Sequence, residues 1–245
     1  MGILKLGINS GFSCWLIDRF ADIYMFFNRI TPVKTTQIND NVYAVKTGTV
    51  NFYIYEKDGN AICIDAGFEK SMIKRELSLL NINPNSVSHI FLTHTDFDHA
   101  NGVGVFKNAK VYLSKNEEVM INRTNARKYG FVHNILSCDD YELLEDNEII
   151  SVGTIKVKAI LTSGHTPGSM SYLVDDTFLF TGDAFRIIDG KACPIRPILT
   201  MDTDDAAKSI HKLARIPGVR MVFTAHRGYS DDFYGIMKDY IDYSK

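Results

Sequence analysis

Residues 91–102 read "FLTHTDFDHANG" and set His94, Asp96, Asp98 and His99 within six positions. Imidazole and carboxylate are the side chains with which proteins bind zinc, iron and manganese. Crowded into one short stretch, four such groups leave charge poorly compensated unless a cation joins them. The HxDxDH spacing therefore points to metal binding, and from there to metal-assisted chemistry.

Three further places offer ligand types. His165 stands in "TSGHTPGS", Asp183 in "FTGDAF" and His226 in "TAHRG". Alone, each has a plain explanation: a single histidine is commonly a hydrogen-bonded structural residue, and an aspartate beside glycine is commonly a turn. Each nevertheless follows an apolar, strand-like run, as does the HxDxDH group. Loops at strand ends are where rigid scaffolds present functional side chains. The remaining histidines, His89, His133 and His211, do not share that placement.

The elements that would position these groups are legible in outline. "NVYAVKTG", "VNFYIYEK" and "NAICIDAG" are rich in Val, Ile and Tyr and are separated by turn residues, which predicts strands. "SHIFLTH", "AKVYLS" and "VRMVFTAH" read the same way. "EIISVGTIKVKAILT" reads as a hairpin around "VGT", and "GSMSYLVDDTFLFTGD" as two strands turning at "DD". Helical periodicity marks "KSMIKRELSLLNI" and "NEEVMINRTNARKYG". "TDDAAKSIHKLARIPG" has an acidic first turn, basic residues near its end and Pro-Gly beyond, the signature of a capped helix. Runs of strands punctuated by a few helices predict two sheets with helices outside them.

The whole chain sets bounds. Its 245 residues suit one large domain or two small ones. With 45% hydrophobic and 23% charged residues it can bury a substantial core. A formal net charge of -2 argues against a nucleic-acid binder held by a basic surface. Cys14, Cys63, Cys138 and Cys193 show no CxxC spacing and read as reduced thiols of a cytoplasmic protein. The uncharged run "LGINSGFSCWLI" is closed by Asp18 and is too short and polar for stable membrane insertion. From Leu16, the residues Phe20, Ile23, Tyr24, Phe27 and Ile30 continue at helical spacing. We therefore expect an N-terminal helical extension over residues 1–35, offering a homodimer contact, and a catalytic domain over 36–245.

The ordered set of motifs resembles the metallo-β-lactamase superfamily, from about Val42 to Tyr229. Members carry HxHxDH, a histidine in a "GHTPGS"-like loop, an aspartate in "GD" and a final histidine. The resemblance implies an α+β fold, an αββα sandwich of two mixed sheets flanked by helices, with a two-metal site at one edge. Carried onto this chain, it assigns His94 and His165 to a first metal and Asp98, His99 and His226 to a second, with Asp183 bridging. Asp65 in "CIDAG" matches a family aspartate expected to brace ligands from behind.

Asp96 departs from that pattern, since the family usually has histidine there. A carboxylate still supplies a donor. With two divalent ions, three aspartates and one hydroxide the site carries no net charge, where a histidine at 96 would leave one positive charge. Zinc is the first expectation for the two divalent ions, and the harder oxygen donor of Asp96 admits iron or manganese.

The resemblance implies a hydrolase acting on a small molecule. Hydroxide held between the metals would attack an ester, thioester, lactone, amide or phosphoester, with Asp98 orienting it and carrying its proton. Residues 119–137 hold Arg123, Arg127, Lys128 and His133 with no acid, and residues 185–201 hold Arg186, Lys191 and Arg196 against Asp189 alone. Both segments offer cations to an anionic group on the substrate, with Arg123, Arg127, Lys128, His133, Arg186 and Arg196 as the candidates. Two other readings stand beside this one. A diiron redox or oxygen-handling protein related to the flavodiiron proteins would also use an acidic residue at position 96. A non-catalytic relative on a degenerated site would not retain metal.

Overall fold

The computed structural model describes residues 31–127 and 133–241. The expected N-terminal helix and its dimer contact, Cys14 and Lys128 lie outside the described residues.

Two sheets form the centre of the molecule. The first runs β1 (Thr36–Gln37), β2 (Val42–Thr47), β3 (Val50–Lys57), β4 (Asn60–Ile64), β5 (Val87–Phe91), β6 (Lys110–Ser114) and β7 (Glu142–Leu144), in that spatial order. It is antiparallel from β1 to β4 and parallel from β4 to β7. The second contains β8 (Ile149–Val152), β9 (Ile155–Leu161), β10 (Met170–Val174), β11 (Phe178–Phe180), β14 (Met221–Phe223) and β15 (Tyr229–Ser230), in the order β15-β14-β11-β10-β9-β8. Only β11 and β14 pair in parallel there. A separate hairpin pairs β12 (Arg186–Ile188) with β13 (Lys191–Cys193).

Side-chain alternation along the strands builds three apolar layers. Tyr53 and Tyr55 of β3 point between the sheets and meet Tyr172, Phe180 and Phe223 of the second sheet. Their neighbours Phe52 and Ile54 point outward, into the layer with Ile73 and Leu77 of the helix Lys70–Leu79. On the far side, Leu173, Leu179 and Val222 pack on Ile210 and Leu213 of the helix Thr203–Ala214 and on Phe233 and Ile236 of the helix Phe233–Ile241. Covered on both faces, β3 and β10 are apolar almost throughout. The result is the expected αββα sandwich.

The expected elements differ from the structure in several places, the short strands β1, β7 and β15 among them. The helix expected over "NEEVMINRTNARKYG" is a 3-10 turn, Lys115–Glu117, and one α-turn, Glu118–Ile121. Beyond it, Asn122 accepts a hydrogen bond from the Thr124 amide, and the Asn125 side chain from the Ala126 amide. Arg123 takes a positive φ of 67°. Asparagine side chains that bond nearby backbone compete with helix and end it here. The β12–β13 hairpin and the helix Phe233–Ile241 had no counterpart in the sequence expectations. Ahead of β1, the Thr31 amide donates to His226 O, and Val33 exchanges two hydrogen bonds with the Asn51 side chain. No helix among the described residues is long and apolar enough to cross a membrane.

Candidate metal centre

Parallel pairing collects the candidate ligands at one edge. β4 runs parallel to β5, and β11 to β14, so the C-terminal ends of each pair lie together. β9 is two antiparallel steps from β11, so its end lies on the same side as that of β11. Asp65 follows β4, residues 93–99 follow β5, His165 follows β9, Asp183 follows β11 and His226 follows β14.

Two glycines let these loops close on one another. Gly182, at φ 50°, sits where an added Cβ would lie 2.4 Å from Thr93 Oγ1, which brings Asp183 beside the motif loop. Gly164, at φ 138°, sits where a Cβ would lie 2.4 Å from the Ala206 backbone, which seats the His165 loop on the helix Thr203–Ala214.

The side chains form two donor sets with a link between them. Donor atoms of His94, Asp96 and His165 lie within 4.8 Å of one another, as do those of Asp98, His99 and His226. A third group, His94, His99 and Asp183, spans the two. Asp183 Oδ2 is 3.4 Å from both His165 Nε2 and His226 Nε2, and Oδ1 is 3.8 Å from His99 Nε2. Asp96 Oδ2 is 3.2 Å from His165 Nε2 and 3.6 Å from His94 Nε2. Asp98 Oδ2 is 3.7 Å from His226 Nε2 and 3.9 Å from His99 Nε2.

A second ring of contacts orients the imidazoles. Asp65, in a left-handed conformation at φ 62°, accepts from His99 Nδ1 at 2.8 Å and from the Thr93 amide at 2.7 Å. The Thr93 hydroxyl also bonds Asp65 and lies 3.0 Å from His94 Nδ1. His226 Nδ1 donates to Thr49 O at 2.7 Å. With Nδ1 engaged in this way, Nε2 is the nitrogen that His94, His99 and His226 turn toward the centre, whereas His165 Nδ1 is buried without a partner.

The donor chemistry and the burial both fit a bound metal. His94 Nε2 and His99 Nε2 are buried with no hydrogen-bond partner in the protein. Buried polar atoms are normally satisfied, so two orphans aimed into one carboxylate-lined space call for a ligand. The electrostatics agree. Burial works to lower the His99 pKa, yet Asp65, Asp98 and Asp183 raise it to about 10. At His226, burial is likewise outweighed by Asp183 and Asp98, which raise it to about 9. Burial works to raise the Asp96 and Asp183 carboxyls, yet both are held well below the usual carboxylate range. His165 and His94 do this for Asp96, and His226 and His165 for Asp183. The aspartates draw positive charge into the cluster, which divalent ions supply in place of protons.

The expected cationic rim is placed differently. The Arg127 guanidinium turns inward, donating to His165 O and Leu199 O at 2.6 Å each. Arg186 donates through Nε and Nη2 to Pro194 O, and His133 Nδ1 donates to Asn125 O. Arg123 and Arg196 are exposed. Large apolar side chains are exposed close by in sequence: Phe97 between Asp96 and Asp98, Ile135, and Ile198 with Leu199.

Residues that the sequence did not single out complete the site. Glu117 is fully buried, and its carboxylate accepts from the Thr95 amide and hydroxyl, the Thr166 hydroxyl and the Gly168 amide. It thereby ties the loop of His94 and Asp96 to the loop of His165. Burial raises its pKa, opposed by His94 and by the Thr166 and Thr95 hydrogen bonds. The Asn134 amide donates to Asp96 Oδ1 and Thr95 Oγ1, each at 3.0 Å.

Comparison with known proteins follows the same lines. The chain is 30% identical over 159 residues to a probable metallo-hydrolase of Methanocaldococcus jannaschii, covering 65% of this chain and 66% of that protein. It is 35% identical over 151 residues to a probable polyketide biosynthesis zinc-dependent hydrolase of Bacillus subtilis (strain 168), covering 58% and 60%. The matches thus span less than two thirds of either relative. A metallo-beta-lactamase family protein from Thermus thermophilus shares the fold, with a TM-score of 0.65 at 19% identity over 83% of this chain and 79% of that one. Residues 45–226 match the family description "Metallo-beta-lactamase superfamily", from β2 to His226. The chain belongs to the metallo-beta-lactamase superfamily.

Proposed function

We propose that this protein is a metal-dependent hydrolase with a dinuclear centre. His94, Asp96 and His165 hold a first divalent ion, Asp98, His99 and His226 a second, and Asp183 serves both. The observation that carries this reading is the grouping of Asp183 with the buried, unpartnered Nε2 atoms of His94 and His99, one from each donor set. Zinc is the metal this reading favours, supported by the zinc-dependent hydrolase named among the relatives. Divalent ions at this position make water nucleophilic near neutral pH and polarise the carbonyl or phosphoryl oxygen that gains charge.

The protein's own groups do the rest. Asp98, less buried than His99, brings Oδ2 to 3.9 Å from His99 Nε2 and 3.7 Å from His226 Nε2. It orients the attacking water, takes its proton and delivers that proton to the leaving atom. Asp65, Thr93 and Thr49 hold the imidazoles in place, so little reorganisation accompanies the reaction. No side-chain nucleophile is required. Arg186 and Arg196 remain the groups suited to an anionic part of the substrate, while Phe97, Ile135 and Ile198 suit an apolar part.

Two measurements test this proposal together. Metal-replete protein is analysed for zinc, iron and manganese, then assayed against ester, thioester, lactone and phosphodiester substrates. Two zinc ions per chain, with hydrolysis abolished in Asp98→Asn, are expected. A coloured iron pair with no hydrolysis would replace this reading with the redox one.

A further inference from the structure

Asp96 is held from two sides by residues outside the metal-binding motifs. On one side the Asn134 amide donates to Oδ1 at 3.0 Å, leaving Oδ2 as the oxygen turned to His94 and His165. On the other side Arg127 Nη2 lies 3.5 Å from that same Oδ2 and 3.5 Å from His165 Nε2. Both side chains are largely buried, at 16% exposed for Arg127 and 15% for Asp96. A guanidinium cannot shed its charge, and little solvent is present to screen it. Its short hydrogen bonds are spent on the carbonyls of His165 and Leu199, which fix the cation beside the first donor set. The 3.5 Å contact with Oδ2 is longer than those bonds, so Oδ2 keeps a lone pair free for another cation.

The geometry points to Arg127 as the fixed counter-charge of Asp96. It is a positioning residue that allows a carboxylate to stand at a ligand position without making the first donor set more negative than one with an imidazole there. The inference rests on the reading of Asp96 as a metal ligand. It alters the electrostatic expectation from the sequence. The aspartate removes one positive charge from the centre, and the adjacent arginine restores it. The carboxylate and the guanidinium together carry no net charge, as a neutral histidine does. An ion at the first position then stays strongly electrophilic despite its oxygen donor.

The consequence has a sign that a merely structural arginine would not share. Removing the positive charge leaves a more negative donor set, which binds a divalent cation more tightly. Removing only an anchor loosens the His165 loop and weakens binding. The test is a double-mutant cycle read by zinc affinity, in apo-protein titrated with zinc against a chromophoric chelator. The proteins are wild type, Arg127→Gln, Arg127→Lys, Asp96→Asn and the Arg127→Gln/Asp96→Asn pair. Arg127→Gln should tighten one of two zinc sites about tenfold. On the Asp96→Asn background, where the first site is expected to be lost, the same change should leave the affinity of the remaining site unaltered, and Arg127→Lys should stay near wild type. Equal loosening by Arg127→Gln on both backgrounds, or loosening by Arg127→Lys, would overturn the proposal and leave Arg127 an anchor. If Arg127→Gln does not fold, wild-type affinity in Arg127→Lys supports the counter-charge and loosening overturns it. Failure of the underlying reading looks different, because Asp96→Asn would then bind two zinc ions as tightly as wild type.

Discussion

Asp183 Oδ2 stands 3.4 Å from His165 Nε2 and 3.4 Å from His226 Nε2, one carboxylate oxygen shared between histidines that follow different strands. On the proposed reading both donor sets draw on this carboxylate. Asp183→Ala is therefore expected to lower zinc content at both positions. Hydrolytic kcat/KM should fall by more than the roughly 100-fold that loss of an outer-shell partner costs. Loss of one ion alone, measured by elemental analysis, would assign Asp183 to a single set.

Asp65 should act through His99 without touching metal. Its carboxylate accepts from His99 Nδ1 and from Thr93, which in turn lies against His94. Asp65→Asn leaves the size of the side chain but replaces one acceptor oxygen by a donor. Zinc affinity is expected to fall about 10- to 100-fold. Affinity titrations showing no change would return Asp65 to a purely backbone role at its left-handed turn.

Glu117 predicts a stability effect with a catalytic echo. Its four hydrogen bonds join residues 95, 166 and 168 inside the protein. Glu117→Gln keeps one acceptor oxygen and sets an amide against donors. A loss of about 2–4 kcal/mol in chemical denaturation is expected, together with weaker first-position zinc binding. Unchanged stability would mean that the network rearranges around the amide.

Metal removal should destabilise the fold, because the ligands of one centre come from strand ends of both sheets. Zinc at about 100 times its Kd adds about 2.7 kcal/mol to a protein that binds it only when folded. Chelation should therefore lower Tm, and added zinc should restore it. A Tm insensitive to zinc would show that no folded-state site exists.

Much of the candidate site was legible in the sequence because metal-binding residue types are few and the resemblance supplied their order along the chain. His94, Asp96, Asp98, His99, His165, Asp183 and His226 each follow an apolar run, and the structure brings all seven together. β3, covered on both faces, announced itself by the apolar run Phe52–Tyr55. Behind these residues, Asp65 was named from the resemblance and does contact His99 Nδ1, but the other supporting residues were not legible. Glu117 sits in "NEEV" as an ordinary charged residue, and only tertiary packing turns it inward. Arg127 looked like a surface cation because its partners, His165 O and Leu199 O, are distant in sequence. The β12–β13 hairpin did carry a signal: Asp189-Gly190, both at positive φ, is the dipeptide of a tight two-residue hairpin turn.

On the proposed reading two ions are held, and Asp96 is a ligand to one of them. Elemental analysis of wild type and Asp96→Ala, purified in parallel after zinc loading, tests it most directly. Wild type should carry two zinc ions per chain. Asp96→Ala should carry one, with hydrolysis largely lost and the fold intact by circular dichroism. Two ions and full turnover in Asp96→Ala, or a single ion in wild type, would contradict it.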